Sequence, residues 1–266
     1  MAIQTIDGVL AGALPPQDIF KVGTAPESGG RYHSHWYAAG RPGAATAPTD
    51  GVNGAVLTTH TAAIPFTNPS GGALTYIARW EMATTVACTL LLCDRLWHNS
   101  GLSVTATTLQ SITSPTWPAR DLNGTTSGNG VFVGLEVSTV TGAGTPTCTL
   151  TYTDEAGNTG ATATYLALTA ANVGSFDFWP LASGDFGVRA VTGYQQSATR
   201  TSGAIHMVAF RVLAWLPCGS TNVAGSIDAL SSGMIRLYDN TVPFIVQLPT
   251  TSTGTNLSGR LVYTQG

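Results

Sequence analysis

From Ala73 onward, apolar and polar side chains alternate along much of the chain with a period of two, the pattern of strands that turn one face to a core. The alternation is cleanest at Val131–Val137, where Val131, Val133, Leu135 and Val137 share one face and Phe132, Gly134 and Glu136 the other. It recurs at Thr147–Thr153, where Cys148, Leu150 and Tyr152 alternate with four threonines. The pattern predicts strands at Ala73–Trp80, Thr85–Leu96, Leu102–Leu109, Val131–Val140, Thr147–Thr153, Ala161–Leu168, Phe186–Gln195 and Ala204–Leu216, separated by turns rich in Gly, Asn, Asp and Ser. Asp154-Glu155-Ala156-Gly157-Asn158 supplies residues that tolerate positive φ, so Thr147–Leu168 is predicted as a hairpin. Ala204–Leu216 is apolar on both faces apart from His206 and Arg211, as expected of a central strand covered on both sides. Straight, it would run about 43 Å at about 3.3 Å per residue, so it is expected to bend or bulge between two sheets.

Residues 1–72 read differently. Breakers recur at Pro15-Pro16, Ser28-Gly29-Gly30, Gly40-Arg41-Pro42-Gly43 and Asn68-Pro69-Ser70-Gly71-Gly72, with short apolar clusters between them. Ile19-Phe20, Trp36-Tyr37 and Ile64-Pro65-Phe66 make the segment too apolar for a free linker, and the breakers leave it too interrupted for a core of its own. It is predicted as an extended arm that docks through Phe20, Tyr32, Trp36, Tyr37 and Phe66, either on its own body or on a neighbouring subunit. Pro217 and Cys218-Gly219-Ser220 close the body at 73–217. The remaining 218–266, with strand-like Met234–Tyr238, Phe244–Leu248 and Leu261–Tyr263, is expected to add edge strands or a second docking arm. Long antiparallel strands, turn-punctuated spacing and no helix of ordinary length favour an all-β fold, an antiparallel β-sandwich with jelly-roll-like wiring.

Composition supports the β reading and narrows the function. Charged residues make up 9% of the 266, against roughly 25% in ordinary soluble domains, and Lys21 is the only lysine among 11 basic residues. A chain with 40 threonines and so few Lys and Glu cannot be mainly amphipathic helix, because helix surfaces need straight-chain polar residues while β-branched ones prefer the pleated sheet. The 43% hydrophobic content suffices for a substantial core. A net charge of −3 with scattered arginines offers no basic face, so no nucleic-acid partner is expected. The longest strongly apolar run, Val86–Cys93, is far shorter than the roughly 20 residues of a membrane-spanning helix, and no membrane partner is expected. No basic residue precedes the weakly apolar Gly8–Leu14, so the mature chain is expected to begin near Met1. Cys88, Cys93, Cys148 and Cys218 are too sparse for a disulfide framework, and Cys88 and Cys93 point to opposite faces of one predicted strand. Buried free thiols and cytosolic folding are expected.

No catalytic motif is complete. The lysine precedes Val22 rather than Ser or Thr, which excludes a phosphate loop, and Gly128-Asn129-Gly130 followed by Gly134 misses the dinucleotide fingerprint by one position. There is no Gly-x-Ser-x-Gly elbow, and Ser100 in His98-Asn99-Ser100-Gly101 has a histidine nearby only in sequence. A hydrolase would need His98 or His206 beside a Ser or carboxylate in a cleft. No catalytic residue and no cofactor are assigned. His33-Ser34-His35 places two imidazoles on one side of an extended segment, with His60 and His98 as further candidates, yet the flanking aromatics fit hydrogen-bonding anchors better, and no metal is assigned. Asp154 and Glu155 fit a solvated turn. Arg79, Glu81, Asp94, Arg95, Glu136 and Arg211 lie in or beside apolar strands, where an unpaired charge is costly, so internal Arg–carboxylate pairing is expected, with a polar cleft the alternative. Trp97, Trp117, Trp179 and Tyr194, if exposed, would stack on sugars as in a carbohydrate- or receptor-binding module at a fibre or tail tip. Beside prolines, as in Thr116-Trp117-Pro118 and Phe178-Trp179-Pro180, they serve equally as loop anchors.

Three stretches, Leu92-Cys93-Asp94-Arg95-Leu96-Trp97-His98-Asn99-Ser100-Gly101, Pro118-Ala119-Arg120-Asp121-Leu122-Asn123-Gly124 and Tyr152-Thr153-Asp154-Glu155-Ala156-Gly157-Asn158-Thr159-Gly160, resemble in that order a group of tailed-bacteriophage virion proteins. The resemblance covers residues 75 to 216. It implies a β-rich structural subunit of the head (decoration or cement), neck or tail, assembled in the host cytoplasm and resident in the virion. Its partners would be other copies of itself, as a trimer or higher homo-oligomer, and other virion proteins; it brings no catalytic residues. Few charges suit such a role, since obligate interfaces are depleted in Lys and Glu, and threonine-rich sheet faces pair across subunits without lysine's rotamer entropy.

Overall fold

Threonine and valine, stiff at χ1 and at ease on a pleated surface, form strands wherever turn residues leave them uninterrupted. The computed structural model describes residues 3, 5–23 and 29–266; Met1, the expected start of the mature chain, and Ser28 of the second breaker cluster lie outside them. In chain order the elements are α1 (Ile6–Ala11), β1 (Gln17–Val22), β2 (His33–Ser34), β3 (Ala39–Arg41), β4 (Ala55–Val56), β5 (Thr75–Thr84), β6 (Cys88–His98), β7 (Gln110–Ser111), β8 (Val131–Thr139), β9 (Thr147–Asp154), β10 (Thr159–Leu166), β11 (Phe176–Phe178), β12 (Val188–Gln196), β13 (Ala204–Cys218), β14 (Gly225–Asp228), α2 (Ala229–Ser232), β15 (Arg236–Leu237), β16 (Pro243–Pro249) and β17 (Leu257–Gln265).

The strands form three antiparallel sheets, the all-β sandwich that the alternation predicts. The first runs β14-β5-β17-β1-β3 with β15 also on β5, the second β10-β9-β12-β7, and the third β11-β8-β13-β6-β16-β2 with β4 also on β6. Among the described strands only β9 and β10 are both consecutive and paired, so the wiring is one of crossovers, not of a hairpin meander. The third sheet curls until its ends meet. Ser34 donates its backbone N–H to Gly174 at 2.6 Å, Phe176 donates to Tyr32 at 3.0 Å, and His33 bridges Ser175. This barrel-like closure removes the sheet's open edges.

Three apolar clusters follow from that geometry, and β6 and β13 contribute to all of them. Leu91 and Cys93 of β6, Val208 and Phe210 of β13, Phe244 and Val246 of β16, and Phe176 fill the barrel together with Trp36. Leu90 and Leu92, one residue out of phase, face outward with Leu216 toward Trp80, Leu261 and Tyr263 of the first sheet. Leu96, Val131, Val133, Ile205 and Met207 face Cys148, Leu150, Tyr152 and Tyr194 of the second. The long β13 stays within one sheet and serves different cores at its two ends; its pairing with β6 shifts register twice, at Leu96 of β6 and at Leu213 of β13 itself. Gly134 makes room for the aromatic filling: a Cβ there would sit 2.7 Å from Cζ of Phe176.

Several expectations need correction. Leu102–Leu109 is not a strand, because Ser103 folds the segment locally: its hydroxyl accepts the Ala106 N–H at 3.2 Å, and its backbone exchanges bonds of 2.7 and 2.9 Å with the Gln110 side chain. Met234–Tyr238 yields only the two-residue β15, preceded by α2, whose first turn is capped by the Asp228 carboxylate. The C-terminal strands are interior, not peripheral, with β16 lying between β6 and β2 and β17 between β5 and β1. The described part of residues 1–72 lies on its own body: β1 pairs with β17, β2 with β16 and β4 with β6. Thr147–Leu168 forms the predicted hairpin, with Asp154 accepting from Asn158 N–H at 2.7 Å and Gly157 at φ +94°.

Candidate functional site: buried charge networks and an apolar surface

Asp94 and Arg95 are neighbours on β6, so the pleat sends their side chains to opposite faces. Both are fully buried, and each anchors a network. Arg120, itself 1% exposed, donates Nε to Asp94 Oδ2 at 3.0 Å and spends its remaining fork on the backbone carbonyls of Leu57 at 2.9 Å, Arg95 at 3.1 Å and Asn240. The other carboxylate oxygen of Asp94 accepts Val242 N–H at 2.8 Å. One guanidinium therefore ties together the N-terminal segment, β6, the 118–121 loop and the chain entering β16.

Inside the barrel Arg95 donates to Glu136 at 2.7 Å and to His98 Nδ1 at 3.2 Å, and its guanidinium lies 4.4 Å above the Trp36 ring. Burial alone would raise the Glu136 pKa; the adjacent Arg95 outweighs it and holds the carboxyl below its ordinary value. His98 presents Nε2 to Asp50 at 3.2 Å, and His206 Nε2 shares a 2.6 Å hydrogen bond with the Tyr37 hydroxyl. Of the other charges expected to pair, Glu81 bridges Arg79 and Arg260 at the surface, whereas Arg211 lies 5.1 Å over the Tyr238 ring and donates to the Arg236 carbonyl.

His98 does face a carboxylate beside a cleft of about 320 Å³ lined by Thr46, Asp50 and His60. Both of its ring nitrogens are engaged. Nδ1 accepts from Arg95 and the Nε2 proton points at Asp50, while burial, then Arg95, His206 and His60, push its pKa down to about 2. These contacts hold the imidazole as a neutral hydrogen-bonding strut between Arg95 and Asp50. The Ser100 hydroxyl accepts Gly51 N–H at 2.8 Å. His33 and His35 lie edge to face at 5.6 Å, and His35 Nε2 bonds Gln247 at 2.7 Å, whereas His60 and His98 sit together elsewhere, 6.5 Å apart. Among the described residues no group of three or more His, Cys, Asp or Glu is gathered to hold a metal ion.

The sugar-stacking expectation fails on burial. Trp97, Trp117, Trp179 and Tyr194 are at most 1% exposed, and the three indole N–H groups are consumed by the carbonyls of Asn53, Val188 and Cys148. Four of the five docking anchors rest on this chain's own body. Trp36 fills the barrel, Tyr32 stacks on Phe178 at 4.1 Å, Tyr37 bonds His206, and Phe66 meets Tyr263 edge-on at 5.5 Å. Phe20 alone of the five is exposed. The stretches that carry the phage resemblance supply scaffold: Asp94, Arg95 and Arg120 as above, and Asp121, which gathers the backbone N–H groups of Asn123, Thr125, Gly128 and Asn129.

The surface holds the remaining signal. Five of the 11 basic residues, Lys21, Arg95, Arg120, Arg200 and Arg211, are buried, while Ile6, Leu10, Leu166, Phe186, Trp215 and Leu230 are each more than half exposed. Ile6 and Val9 of α1 and Ala229, Leu230 and Met234 around α2 line an apolar groove of about 250 Å³. Ile6, Val9 and Leu10 stand at helical spacing, a stripe too short to register beside the stronger alternation downstream. No helix among the described residues is long and apolar enough to cross a membrane.

No protein-family model matches the chain, and no curated protein matches it. Among solved structures it is similar to VP2 of infectious bursal disease virus in a subviral particle, at 11% identity and a TM-score of 0.16 over 74% of this chain and 43% of that one. A structure of the Gt strain of the same virus gives 13% identity and a TM-score of 0.16 over 76% of this chain and 47% of that one. The chain thus spans less than half the length of these proteins, and at such TM-scores the likeness is too slight to bear on function.

Proposed function

We propose that this chain is a non-enzymatic structural subunit of a virus particle that acts through contacts with further copies of itself and with other virion proteins. The observation that carries the reading is the combination of large apolar side chains open to solvent with a surface from which nearly half of the basic residues have been withdrawn into the interior. The groove between α1 and α2 is a contiguous exposed apolar patch of the kind that marks interaction sites, and the cores of protein interfaces are depleted in charge. The resemblance to tailed-bacteriophage virion proteins supports the finer placement as a head decoration or cement, neck or tail component. On this reading the protein is a homo-oligomer, trimer or higher, assembled in the host cytoplasm and carried in the virion.

Charge placed on the apolar surface tests the reading without touching the core. Leu10→Glu with Leu230→Glu, and separately Phe186→Glu, are expected to weaken self-association at least about tenfold, since a desolvated unpaired carboxylate costs more than 1.4 kcal/mol. The protomer itself should stay folded, because these side chains are exposed in the single chain, so the unfolding midpoint should fall only by what the lost association contributed. Sedimentation equilibrium of each variant reads the first effect and thermal unfolding the second. Association unchanged in both variants would remove these surfaces from the assembly.

A further inference from the structure

β6 begins at Cys88 and β13 ends at Cys218, and the register of the two strands sets these residues directly opposite each other. Directly opposed residues on antiparallel strands have Cα atoms about 4.5–5.5 Å apart, inside the roughly 4.4–6.8 Å that a disulfide spans. Both thiols are buried and free, and Cys218 Sγ donates to the Met82 carbonyl at 3.6 Å. The pair sits where both strands end, and because both thiols are buried a reagent must reach them through local opening of those ends. The other two cysteines have no such partner: Cys93 faces Val212 and Phe244, and Cys148 faces Tyr165 and Gln196.

We propose that Cys88 and Cys218 form a site of oxidative modification, joined as an intrachain disulfide across β6 and β13 when the folded protein meets a low-molecular-weight disulfide. The Cys218 thiolate attacks one sulfur of the reagent and expels one small thiolate, leaving a mixed disulfide on Cys218. Cys88 then loses its proton, attacks Cys218 Sγ and expels the second small thiolate. Two protein thiols are oxidised by two electrons, the reagent is reduced to two thiols, and these take up the two protons. Cys218 is suited to the first attack because hydrogen bonds from the Cys88 thiol and the Gly225 N–H stabilise its thiolate, lowering its pKa to about 7, while Cys88 is raised. The bond closes a loop of about 130 residues, long enough to constrain the unfolded chain strongly. A chain that folds under reducing conditions would leave them with free thiols and gain the staple outside.

The first arm of the test uses the unsubstituted chain. Full-length folded protein is incubated with oxidised glutathione or with dithiothreitol, unfolded in excess alkylating reagent, digested and mapped by mass spectrometry. The expected result is a Cys88–Cys218 linked peptide after oxidation alone, with Cys93 and Cys148 alkylated in both samples. The thermal midpoint should rise on the order of 5–10 °C and return on reduction. Cys88→Ser should stop at a glutathione adduct on Cys218, and Cys218→Ser should take up none. Four alkylated cysteines after oxidation, an unresolved adduct in the unsubstituted chain, or a link through Cys93 or Cys148 would each overturn the proposal.

Discussion

At pH 5 the protein is expected to be less stable than at pH 7 by on the order of 5 kcal/mol, with the loss beginning near pH 6.5, above the carboxylate range. The cause is four buried neutral histidines. Burial, reinforced by His35, lowers the pKa of His33 to about 3, and burial with Lys21 lowers His35 to about 4 against a raising bond from Gln247. His98 is lowered to about 2, and His206 to about 4 by burial and Arg95 against the attraction of Glu136. Each folded pKa lies below the unfolded value of about 6.5, so below that pH the unfolded chain binds protons that the native chain refuses. Stability is therefore full above pH 6.5 and falls as the pH drops toward the folded values. Each group contributes at most about 2 kcal/mol between pH 7 and pH 5, and local opening trims the sum. The carboxylates held low, Glu136 and Asp121, act in the same direction but only below about pH 4, where the unfolded forms become protonated. Urea unfolding at pH 7, 6 and 5 and constant ionic strength measures this. A flat stability over that range would mean that these imidazoles are hydrated.

Arg120→Ala is expected to cost about 3–5 kcal/mol, a large share of the roughly 5–15 kcal/mol that holds a domain folded. The substitution strands the Asp94 carboxylate, which has no exposure, and leaves the carbonyls of Leu57, Arg95 and Asn240 without their donor. Arg120→Lys keeps the charge but not the planar fork, and should recover only part of the loss. Removing both charges, with Asp94→Asn and Arg120→Met, should be milder than Arg120→Ala alone, because no buried ion is left uncompensated. Denaturant unfolding of the three variants decides. A cost below about 1 kcal/mol for Arg120→Ala would show that water replaces the guanidinium and that the crossing is not held by it.

What could be read in the sequence was what is local. Val131–Val137 and Thr147–Thr153 declared their strands because one face of each meets a core and the period of two survives intact. The apolar run Phe244–Leu248 marked a strand, but not its place between β6 and β2, because its neighbours in the sheet are about 150 and 210 residues away in the chain. Leu102–Leu109 misled because the apolar residues masked Ser103, whose hydroxyl competes for the backbone. The Arg95–Glu136 pairing follows from charge on an apolar strand, whereas Arg120, in a proline-flanked loop, gave no sign that it would be buried. An indole beside a proline reads equally as a loop anchor or a sugar platform, and only packing distinguishes them. Cys88 compared with Cys93 along one strand gives the right answer about that pair and none about Cys218, which the register of β13 delivers.

Every feature of the exterior, from the exposed stripe on α1 to the missing lysines, turns on whether copies of this chain cover one another. Sedimentation velocity of the purified full chain in reducing buffer at neutral pH, over a wide concentration range, measures that directly. The predicted result is a discrete species of at least three times the 27.4 kDa protomer mass, persisting on dilution. A single 27.4 kDa species at every concentration would contradict it.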